Sequence, residues 1–310
     1  MGLIALFPGQ GSQFPGMGKE WMEAFPYARE LFSAASDHVH LDFCKLCFEG
    51  PEDELLKTEN TQPCLLLVSY VGFKILEREL HFKPIAAAGH SLGEYPALCA
   101  SGALSFLDAL KLTRRRGELM AEAGKAGDGG MMAVIGLSAE DAEKLCMEAG
   151  ADEVLVPANF NAPGQVVLSG HVSSLERLQS TLKERNARGI RLKVSGAFHS
   201  PLMEPACRGL AEALATVTFS AFQFPVISNL EAKPYPSPEA AREILARQVV
   251  SPVKWIQSVH CLMEMKPRAF IEIGPGKVLA GLCKKIAPEI PVFNFSAAED
   301  LEALKGVLPS

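Results

Sequence analysis

A serine between two glycines is the feature of this sequence that most directly indicates chemistry. Residues 89–93 read G-H-S-L-G, directly after an apolar run at 85–88 that predicts a strand and before a stretch that favours a helix. A G-x-S-x-G turn in this setting places the serine oxygen at a helix N-terminus, where it can act as a nucleophile. We therefore predict Ser91 as the nucleophile and the backbone N–H of Leu92 as an oxyanion donor. The alternative is a Gly/Ser turn without chemistry.

A serine nucleophile needs a base, and the chain contains seven histidines. His90 lies inside the tight turn and should point away from Ser91. His199 is the better candidate because it lies where a predicted inserted domain returns to the main domain, and clefts form at such junctions; the alternative is a structural histidine. A hydrolase triad needs an acid between serine and histidine, but Asp108 and Asp141 lie on predicted helices. A backbone carbonyl or an amide is therefore expected to orient the base.

Two further segments offer groups that could stabilise negative charge. The glycine-rich stretch F-P-G-Q-G-S-Q at 7–13 matches neither nucleotide-binding pattern, so we expect its turn to direct the backbone N–H of Gln10 into the cleft as a second oxyanion donor. Arg114, Arg115 and Arg116 follow one another on a predicted helix. Successive helical residues diverge by about 100°, so one arginine can face inward while the others stay solvated. A buried arginine would suit a substrate carboxylate.

The elements that must position these groups alternate between strands and helices, which predicts an α/β fold with a parallel sheet covered on both faces. A different rhythm follows a glycine-rich hinge or linker at 124–130. It predicts the βαββαβ order of a ferredoxin-like subdomain, with strands at 131–135, 154–157, 165–169 and 191–194 and helices at 138–149 and 172–186. We therefore expect a large domain formed by residues 1–124 and 199–310, with a subdomain of residues 125–198 inserted in it.

Composition excludes several classes of function. The net charge of −6 argues against nucleic acid or anionic membrane as a partner. Among eight cysteines only Cys44 and Cys47 form a C-x-x-C pair, and no second pair follows, so no metal site is predicted. The N-terminus lacks the basic region and cleavage site of a signal peptide, and the longest apolar run, at 64–73, is too short to cross a bilayer. We expect a cytoplasmic protein.

Blocks of sequence from one end of the chain to the other carry a family resemblance. They are FPGQGSQ at 7–13, GHSLGE at 89–94, RRRG at 114–117, NFNAPGQVVLSG at 159–170, GAFHSPLM at 196–203, RQVVSPVKW at 247–255 and EIGPGKVLAGL at 272–282. In these blocks the chain resembles the malonyl-CoA:acyl carrier protein transacylases, which are relatives of polyketide synthase acyltransferase domains. The resemblance implies a hydrolase-like α/β domain that bears a ferredoxin-like subdomain.

The same resemblance implies a ping-pong transfer. Malonyl-CoA would acylate Ser91 with His199 as general base, and the phosphopantetheine thiol of acyl carrier protein would then take the malonyl group. It further implies an oxyanion hole and a set of substrate or positioning residues: the N–H groups of Leu92 and Gln10, Arg116 on the malonyl carboxylate, a main-chain carbonyl at Gln248 on the histidine, Asn159 and Asn161 along the cleft, and Phe198 selecting against a methyl branch. No cofactor is expected, because the substrates carry CoA or phosphopantetheine themselves.

Two other functions compete with acyl transfer. A serine esterase or thioesterase would share the turn, but it has no need for an arginine that holds a carboxylate. A non-catalytic docking module for acyl carrier protein would have no need for both Ser91 and His199. Acyl carrier proteins are acidic as a rule, so a basic face near the cleft is expected, with Lys284, Lys285 and either Arg114 or Arg115 as candidates.

Overall fold

Two β-sheets organise the chain in the computed structural model, which describes residues 2–150 and 153–307. The larger sheet is parallel with strand order β7-β2-β1-β8-β9, and the smaller is antiparallel with order β4-β5-β3-β6. The strands are β1 (Leu3–Phe7), β2 (Ala86–Gly89), β3 (Gly129–Ile135), β4 (Leu155–Ala162), β5 (Gln165–His171), β6 (Arg188–Arg191), β7 (Val226–Ile227), β8 (Ala269–Ile273) and β9 (Val292–Phe295).

Helices cover the sheets and connect their strands. They are α1 (Lys19–Ala24), α2 (Pro26–Val39), α3 (Phe43–Phe48), α4 (Glu52–Leu56), α5 (Thr58–Leu80), α6 (Glu94–Ala100), α7 (Phe106–Ala126), α8 (Ala139–Gly150), α9 (Val172–Glu184), α10 (Glu204–Ala215), α11 (Ala240–Gln248), α12 (Trp255–Glu264), α13 (Val278–Ile286) and α14 (Asp300–Lys305). Short 3₁₀ turns occupy Ser91–Gly93 and Pro201–Met203. No helix within the described ranges is long and apolar enough to cross a membrane.

The parallel sheet is buried on both faces, which confirms the α/β class predicted from the sequence. Every residue of β1 is buried, and alternate side chains enter different cores because successive residues of a strand point to opposite faces. Ala5 and Phe7 pack into the core that includes α5 and α7, whereas Ile4 and Leu6 pack into the core formed with α12 and α13. The first strand is therefore the centre of the fold, and the loop after it reaches the same edge of the sheet as the turn after β2.

The small sheet has the predicted order of strand, helix, strand, strand, helix, strand, but its last strand lies earlier than predicted. β6 pairs with β3 from Ile135 opposite Arg188 to Met132 opposite Arg191, so strand pairing ends where the prediction of residues 191–194 begins. The chain then leaves the sheet and lines a cavity with Leu192 and Val194. Leu192 and Val194 alternate with polar residues as in a strand, because only one side of this segment faces the cavity. The domain boundaries at 124/125 and 198/199 stay a prediction.

The glycine-rich segment at 124–130 has a packing role that its composition did not reveal. Helix α7 continues to Ala126 and β3 begins at Gly129, which leaves only a short connection between them. A Cβ added at Gly124 would lie 2.1 Å from the carbonyl oxygen of Ser195, and one added at Gly129 would lie 2.8 Å from the Cβ of Ala197. Glycine is required here because the segments entering and leaving the small sheet touch each other through their backbones.

Candidate active site

The turn after β2 is a strained elbow that has no room for side chains on either side of Ser91. A Cβ on Gly89 would lie 1.8 Å from the carbonyl oxygen of Gly93, and a Cβ on Gly93 would lie 2.1 Å from that of Phe7. Ser91 itself has a φ of 51°, in the left-handed region that residues with side chains rarely adopt. The two glycines of the motif are therefore steric requirements, and the turn presents the Ser91 hydroxyl outside the sheet.

Ser91 and His199 form a dyad. The Oγ of Ser91 lies 2.8 Å from the Nε2 of His199, and the Nδ1 of His199 lies 2.9 Å from the carbonyl oxygen of Gln248 and 3.2 Å from that of Ser251. Because a carbonyl oxygen can only accept, the proton sits on Nδ1 and Nε2 is free to accept the serine hydroxyl. No carboxylate among residues 2–150 and 153–307 bonds to this imidazole, so main-chain carbonyls do the orienting.

Burial and a neighbouring cation keep His199 neutral. Its pKa is lowered to about 3, first because the ring is buried and second because the Arg116 guanidinium is close, while the two carbonyl acceptors oppose the shift. An unprotonated imidazole at neutral pH is the form that can remove a proton from a hydroxyl or thiol. The dyad therefore rests in the state required of a general base.

Arg116 is the buried member of the three consecutive arginines, with an exposed fraction of 1%. Its Nη2 lies 3.1 Å from the Oγ of Ser91 and 2.9 Å from the Oε1 of Gln248, and its Nη1 donates to the Oε1 of Gln62 at 2.7 Å. Its Nε has no partner among the described residues. A buried guanidinium with neutral partners and a spare donor favours an anionic ligand, because burying an uncompensated charge is costly.

The neighbouring arginines have surface roles. Arg114 and Arg115 both pair with Glu118 one turn further along α7, and Arg114 also donates to the Oδ1 of Asn60. Lys285 is closer to the cleft, because its Nζ donates to the Oε1 of Gln165, which lines the cavity.

Two backbone N–H groups are available beside Ser91. No hydrogen bond within the described part of the chain is donated by the N–H of Leu92 or of Gln10, and both residues line the cavity together with Ser91. The side chain of Gln10 accepts a hydrogen bond from the Thr58 hydroxyl at 2.7 Å, which holds the loop after β1 in place. A pair of unused donors next to a serine is the arrangement that stabilises an oxyanion.

The cavity above the dyad has a volume of about 180 Å³ and lies between the two sheets. The small sheet contributes Asn159 and Asn161, and the chain returning from it contributes Phe198, which is 5% exposed. The Oδ1 of Asn161 lies 2.8 Å from the Nε2 of His90, so that histidine contacts the cavity wall rather than Ser91. Of the predicted site residues only Gln248 does not line the cavity. It lies behind it, and its Nε2 donates to the carbonyl oxygen of Ser91 at 2.9 Å.

Three residues that the sequence did not single out support the elbow from below. The Oδ1 of Asn229 accepts the N–H of Ser91 at 2.6 Å, and its Nδ2 donates to the carbonyl oxygen of Gly89 at 2.8 Å. The buried carboxyl of Glu94 accepts the backbone N–H of Asn229 and the hydroxyl of Tyr235. Burial raises the pKa of Glu94 to about 7, against these hydrogen bonds. Asn229 follows a two-residue strand far along the chain and belongs to no motif, so no sequence signal pointed to it.

The described residues contain no group of three or more His, Cys, Asp or Glu side chains that could hold a metal ion. All eight cysteines are free thiols. The cavity itself is lined by the serine, the histidine, the arginine and the residues that carry the two free backbone N–H groups.

Comparison with known proteins places this geometry in a family. Residues 5–292 match the acyl transferase domain family. The chain is 44% identical over 301 residues to the malonyl CoA-acyl carrier protein transacylase of Bacillus subtilis (strain 168), covering 96% of this chain and 94% of that protein. It is 41% identical over 304 residues to the transacylase of the same name from Salmonella typhimurium, covering 98% and 97%.

Solved structures agree with the sequence comparison. A malonyl-CoA:acyl carrier protein transacylase from Xanthomonas oryzae pv. oryzae superposes with a TM-score of 0.96 at 38% identity, covering 99% of this chain and 98% of that one. A malonyl-transacylase solved in complex with a type II PKS acyl-carrier protein also gives 0.96 at 38% identity, covering 99% and 100%.

Proposed function

The chain belongs to the acyltransferase family that includes the malonyl CoA-acyl carrier protein transacylases, and from this premise we propose that Ser91 carries a malonyl group from malonyl-CoA to acyl carrier protein. One observation supports the assignment of residues above all others. The Ser91 Oγ lies 2.8 Å from a neutral imidazole and 3.1 Å from a buried guanidinium. The first is a base for the nucleophile, and the second is a binding group for an acid-bearing acyl chain.

In the first half of the reaction, His199 Nε2 takes the Ser91 proton as Oγ attacks the thioester carbonyl of malonyl-CoA. The carbonyl oxygen becomes an oxyanion, which the N–H groups of Leu92 and Gln10 stabilise. When the intermediate collapses, the carbon–sulfur bond breaks and the CoA sulfur leaves with the proton that His199 holds. Malonyl-Ser91 and free CoA are the products, and the histidine is neutral again.

The second half runs through the same atoms in reverse. The phosphopantetheine thiol of acyl carrier protein gives its proton to His199 and attacks the malonyl-Ser91 ester. The same two N–H groups hold the second oxyanion. Its collapse breaks the bond between the acyl carbon and Oγ, and Ser91 recovers its proton from His199. The sequence is ping-pong because CoA leaves before the carrier thiol reacts. No further cofactor takes part in the proposed transfer.

Selection among acyl groups rests on two side chains. The malonyl carboxylate pairs with Arg116, whose Nε has no partner within the described residues. Phe198 lines the same cavity beside His199, where its ring limits the room for a branch at the acyl α-carbon. One methyl group contributes only about 1–3 kcal/mol of discrimination, so we expect some transfer of branched acyl groups. Asn159 and Asn161 border the path of the incoming substrate.

The carrier protein is expected to approach along α13. Val278, Leu279 and Leu282 of this helix line the cavity, and Lys284 and Lys285 follow in its last turn. An acidic carrier would find positive charge there, whereas Arg114 and Arg115 are already paired with Glu118. The cytoplasmic location expected from the sequence stays a prediction.

Intact mass after brief exposure to malonyl-CoA, and separately to acetyl-CoA, tests the proposal. We expect wild type to gain one malonyl group and Ser91→Ala to gain none. Arg116→Ala should lose its preference for malonyl over acetyl, because of the two acyl groups only malonyl carries a free carboxylate. Addition of acyl carrier protein should then move the mass from the enzyme to the carrier.

Two outcomes contradict the proposal in different ways. Wild type that stays unmodified while free malonate accumulates indicates a hydrolase, the main competing function. Wild type that gives neither an adduct nor malonate shows that malonyl-CoA is not the substrate of this serine.

A further inference from the structure

A continuous row of buried hydrogen bonds joins the carboxylate-binding arginine to the oxyanion loop. The Nη1 of Arg116 donates to the Oε1 of Gln62 at 2.7 Å, and the Nε2 of Gln62 lies 3.0 Å from the Thr58 Oγ1. That hydroxyl donates in turn to the Oε1 of Gln10 at 2.7 Å. Neither Thr58 nor Gln62 lines the cavity, so neither touches the substrate of the proposed reaction.

The direction of every bond in this row is fixed by chemistry. A guanidinium can only donate, so Gln62 must present its carbonyl oxygen to Arg116 and its NH₂ group to Thr58. Thr58 accepts that bond and has a single proton, which goes to Gln10. Exposed fractions of 1% for Thr58 and 0% for Gln62 mean that water is no substitute for a missing partner. A change at either end therefore alters the geometry of the whole row.

The row is held where two helices touch. Thr58 and Gln62 are four residues apart at the start of α5, so their side chains share one face of that helix. A Cβ on Gly117, next to Arg116 in α7, would lie 2.7 Å from the carbonyl oxygen of Thr58 and 2.5 Å from the Cα of Glu59. Backbone contact at this crossing leaves little freedom for the side chains between the helices.

We propose that Thr58 and Gln62 are positioning residues that couple recognition of the substrate carboxylate at Arg116 to the placement of the Gln10 N–H in the oxyanion hole. The inference rests on the proposed function and adds residues to it. A carboxylate on Arg116 draws the guanidinium and hence Gln62, and the shift reaches Gln10 through the Thr58 hydroxyl. Malonyl is then favoured in the chemical step as well as in binding.

A double-mutant cycle between Thr58→Val and Arg116→Ala tests the coupling. Valine keeps the shape of threonine and removes the hydroxyl, and the readout is the single-turnover rate at which Ser91 gains a malonyl group. If the two residues act through one row, their effects are not independent. The double variant then gains malonyl about tenfold faster than the rate calculated by multiplying the losses of the two single variants. Effects that multiply to within about twofold overturn the proposal.

Thr61→Val is the matched control. Thr61 is buried on the same helix, but its hydroxyl donates to the carbonyl oxygen of Leu55 and has no place in the row. The loss of acylation rate in Thr61→Val should multiply with the loss in Arg116→Ala, as expected of independent sites. Thr58→Ser keeps the hydroxyl and should restore both the rate and the coupling, and a loss in Thr58→Ser equal to that in Thr58→Val overturns the proposal. Thermal unfolding of each variant separates loss of fold from loss of coupling.

A second measurement needs no turnover and uses malonate as the probe. In wild type and Thr61→Val, malonate should shift the backbone amide signals of both Arg116 and Gln10 in the nuclear magnetic resonance spectrum. In Thr58→Val the shift at Gln10 should be lost while that at Arg116 persists. A Gln10 shift that survives in Thr58→Val, or is missing in wild type, overturns the coupling. Failure of wild type to gain malonyl from malonyl-CoA contradicts the proposed function instead.

Discussion

The Nη2 of Arg116 lies 3.1 Å from the Oγ of Ser91, so a permanent positive charge touches the atom that His199 deprotonates in the proposed reaction. The charge disfavours protonation of the imidazole, and in the proposed reaction it would stabilise the developing serine alkoxide. A substrate carboxylate that pairs with Arg116 would compensate the guanidinium charge and make His199 a stronger base. In the proposed reaction, recognition of the substrate and activation of the base would thereby be linked through the side chain of Arg116.

His199 should stay neutral well below the ordinary histidine value. We expect its imidazole signals, followed by nuclear magnetic resonance in labelled protein and assigned with His199→Gln, to show no protonation between pH 8 and pH 5, because its pKa is lowered to about 3. Malonate should raise that pKa, whereas acetamide, which carries no carboxylate to pair with Arg116, should leave it unchanged. Titration of His199 near pH 6.5 without ligand would contradict the role of burial and Arg116.

The same shift has a consequence for stability, with a defined sign. Between its folded pKa of about 3 and the ordinary value of 6.5, the unfolded chain binds a proton on this histidine and the folded chain does not. The contribution of His199 to the free energy of unfolding is therefore full above about pH 6.5 and decreases as the pH falls below it. Denaturant unfolding of wild type and His199→Gln at pH 7 and pH 5 measures the difference.

Asn229 should be needed for a working elbow although it touches no substrate. Asn229→Leu keeps a similar volume but leaves the Ser91 N–H and the Gly89 carbonyl oxygen without partners, at a cost of about 1–3 kcal/mol for each buried group. We expect lower stability and slower acylation of Ser91. Asn229→Asp retains an acceptor for Ser91 and should lose less. Acylation at the wild-type rate in Asn229→Leu would show that the turn keeps its conformation without the two hydrogen bonds of Asn229.

The second glycine of the motif should not tolerate alanine. A methyl group at Gly93 would meet the Phe7 carbonyl oxygen at 2.1 Å, which backbone in the central strand cannot avoid by a small movement. Gly93→Ala should therefore fail to fold or fail to react with malonyl-CoA. Gly281→Ala is the control, because a Cβ there meets nothing within 4 Å and lies inside α13. It should raise stability by about 0.5–1 kcal/mol. The two melting temperatures provide the comparison.

Phe198 should restrict the acyl group. Phe198→Ser removes a buried ring from the cavity beside His199 and makes room at the acyl α-carbon. We expect the ratio of methylmalonyl to malonyl transfer to rise by about tenfold, within the range of one methyl contact. Competition between the two CoA thioesters, read from the mass of the acyl-enzyme, gives this ratio directly. An unchanged ratio would place the selecting contact elsewhere in the cavity.

Much of the fold could be predicted because its signals are local. Buried parallel strands such as Leu3–Phe7 are continuous apolar runs, and the βαββαβ order follows from the alternation of periods along the chain. The shift of the last small strand to Arg188–Arg191 was missed because a segment that lines a cavity and a strand that covers a core have the same apolar pattern. The glycine-rich segment at 124–130 predicts a hinge or linker, because composition does not reveal which backbones touch.

The site likewise divides into features with a local sequence signal and features that depend on tertiary contacts. The sequence by itself predicts Ser91 as the nucleophile, because the G-x-S-x-G pattern of the elbow lies within five residues. For His199 the sequence left a backbone carbonyl or an amide open, and the structure shows the carbonyls of Gln248 and Ser251. The tertiary structure alone decided that Asn229 accepts the Ser91 N–H, and that Thr58 and Gln62 connect Arg116 to Gln10. These partners come from different elements of the fold. Hydrogen bonds between residues far apart in the chain leave no local pattern, because they depend on where whole helices and strands pack.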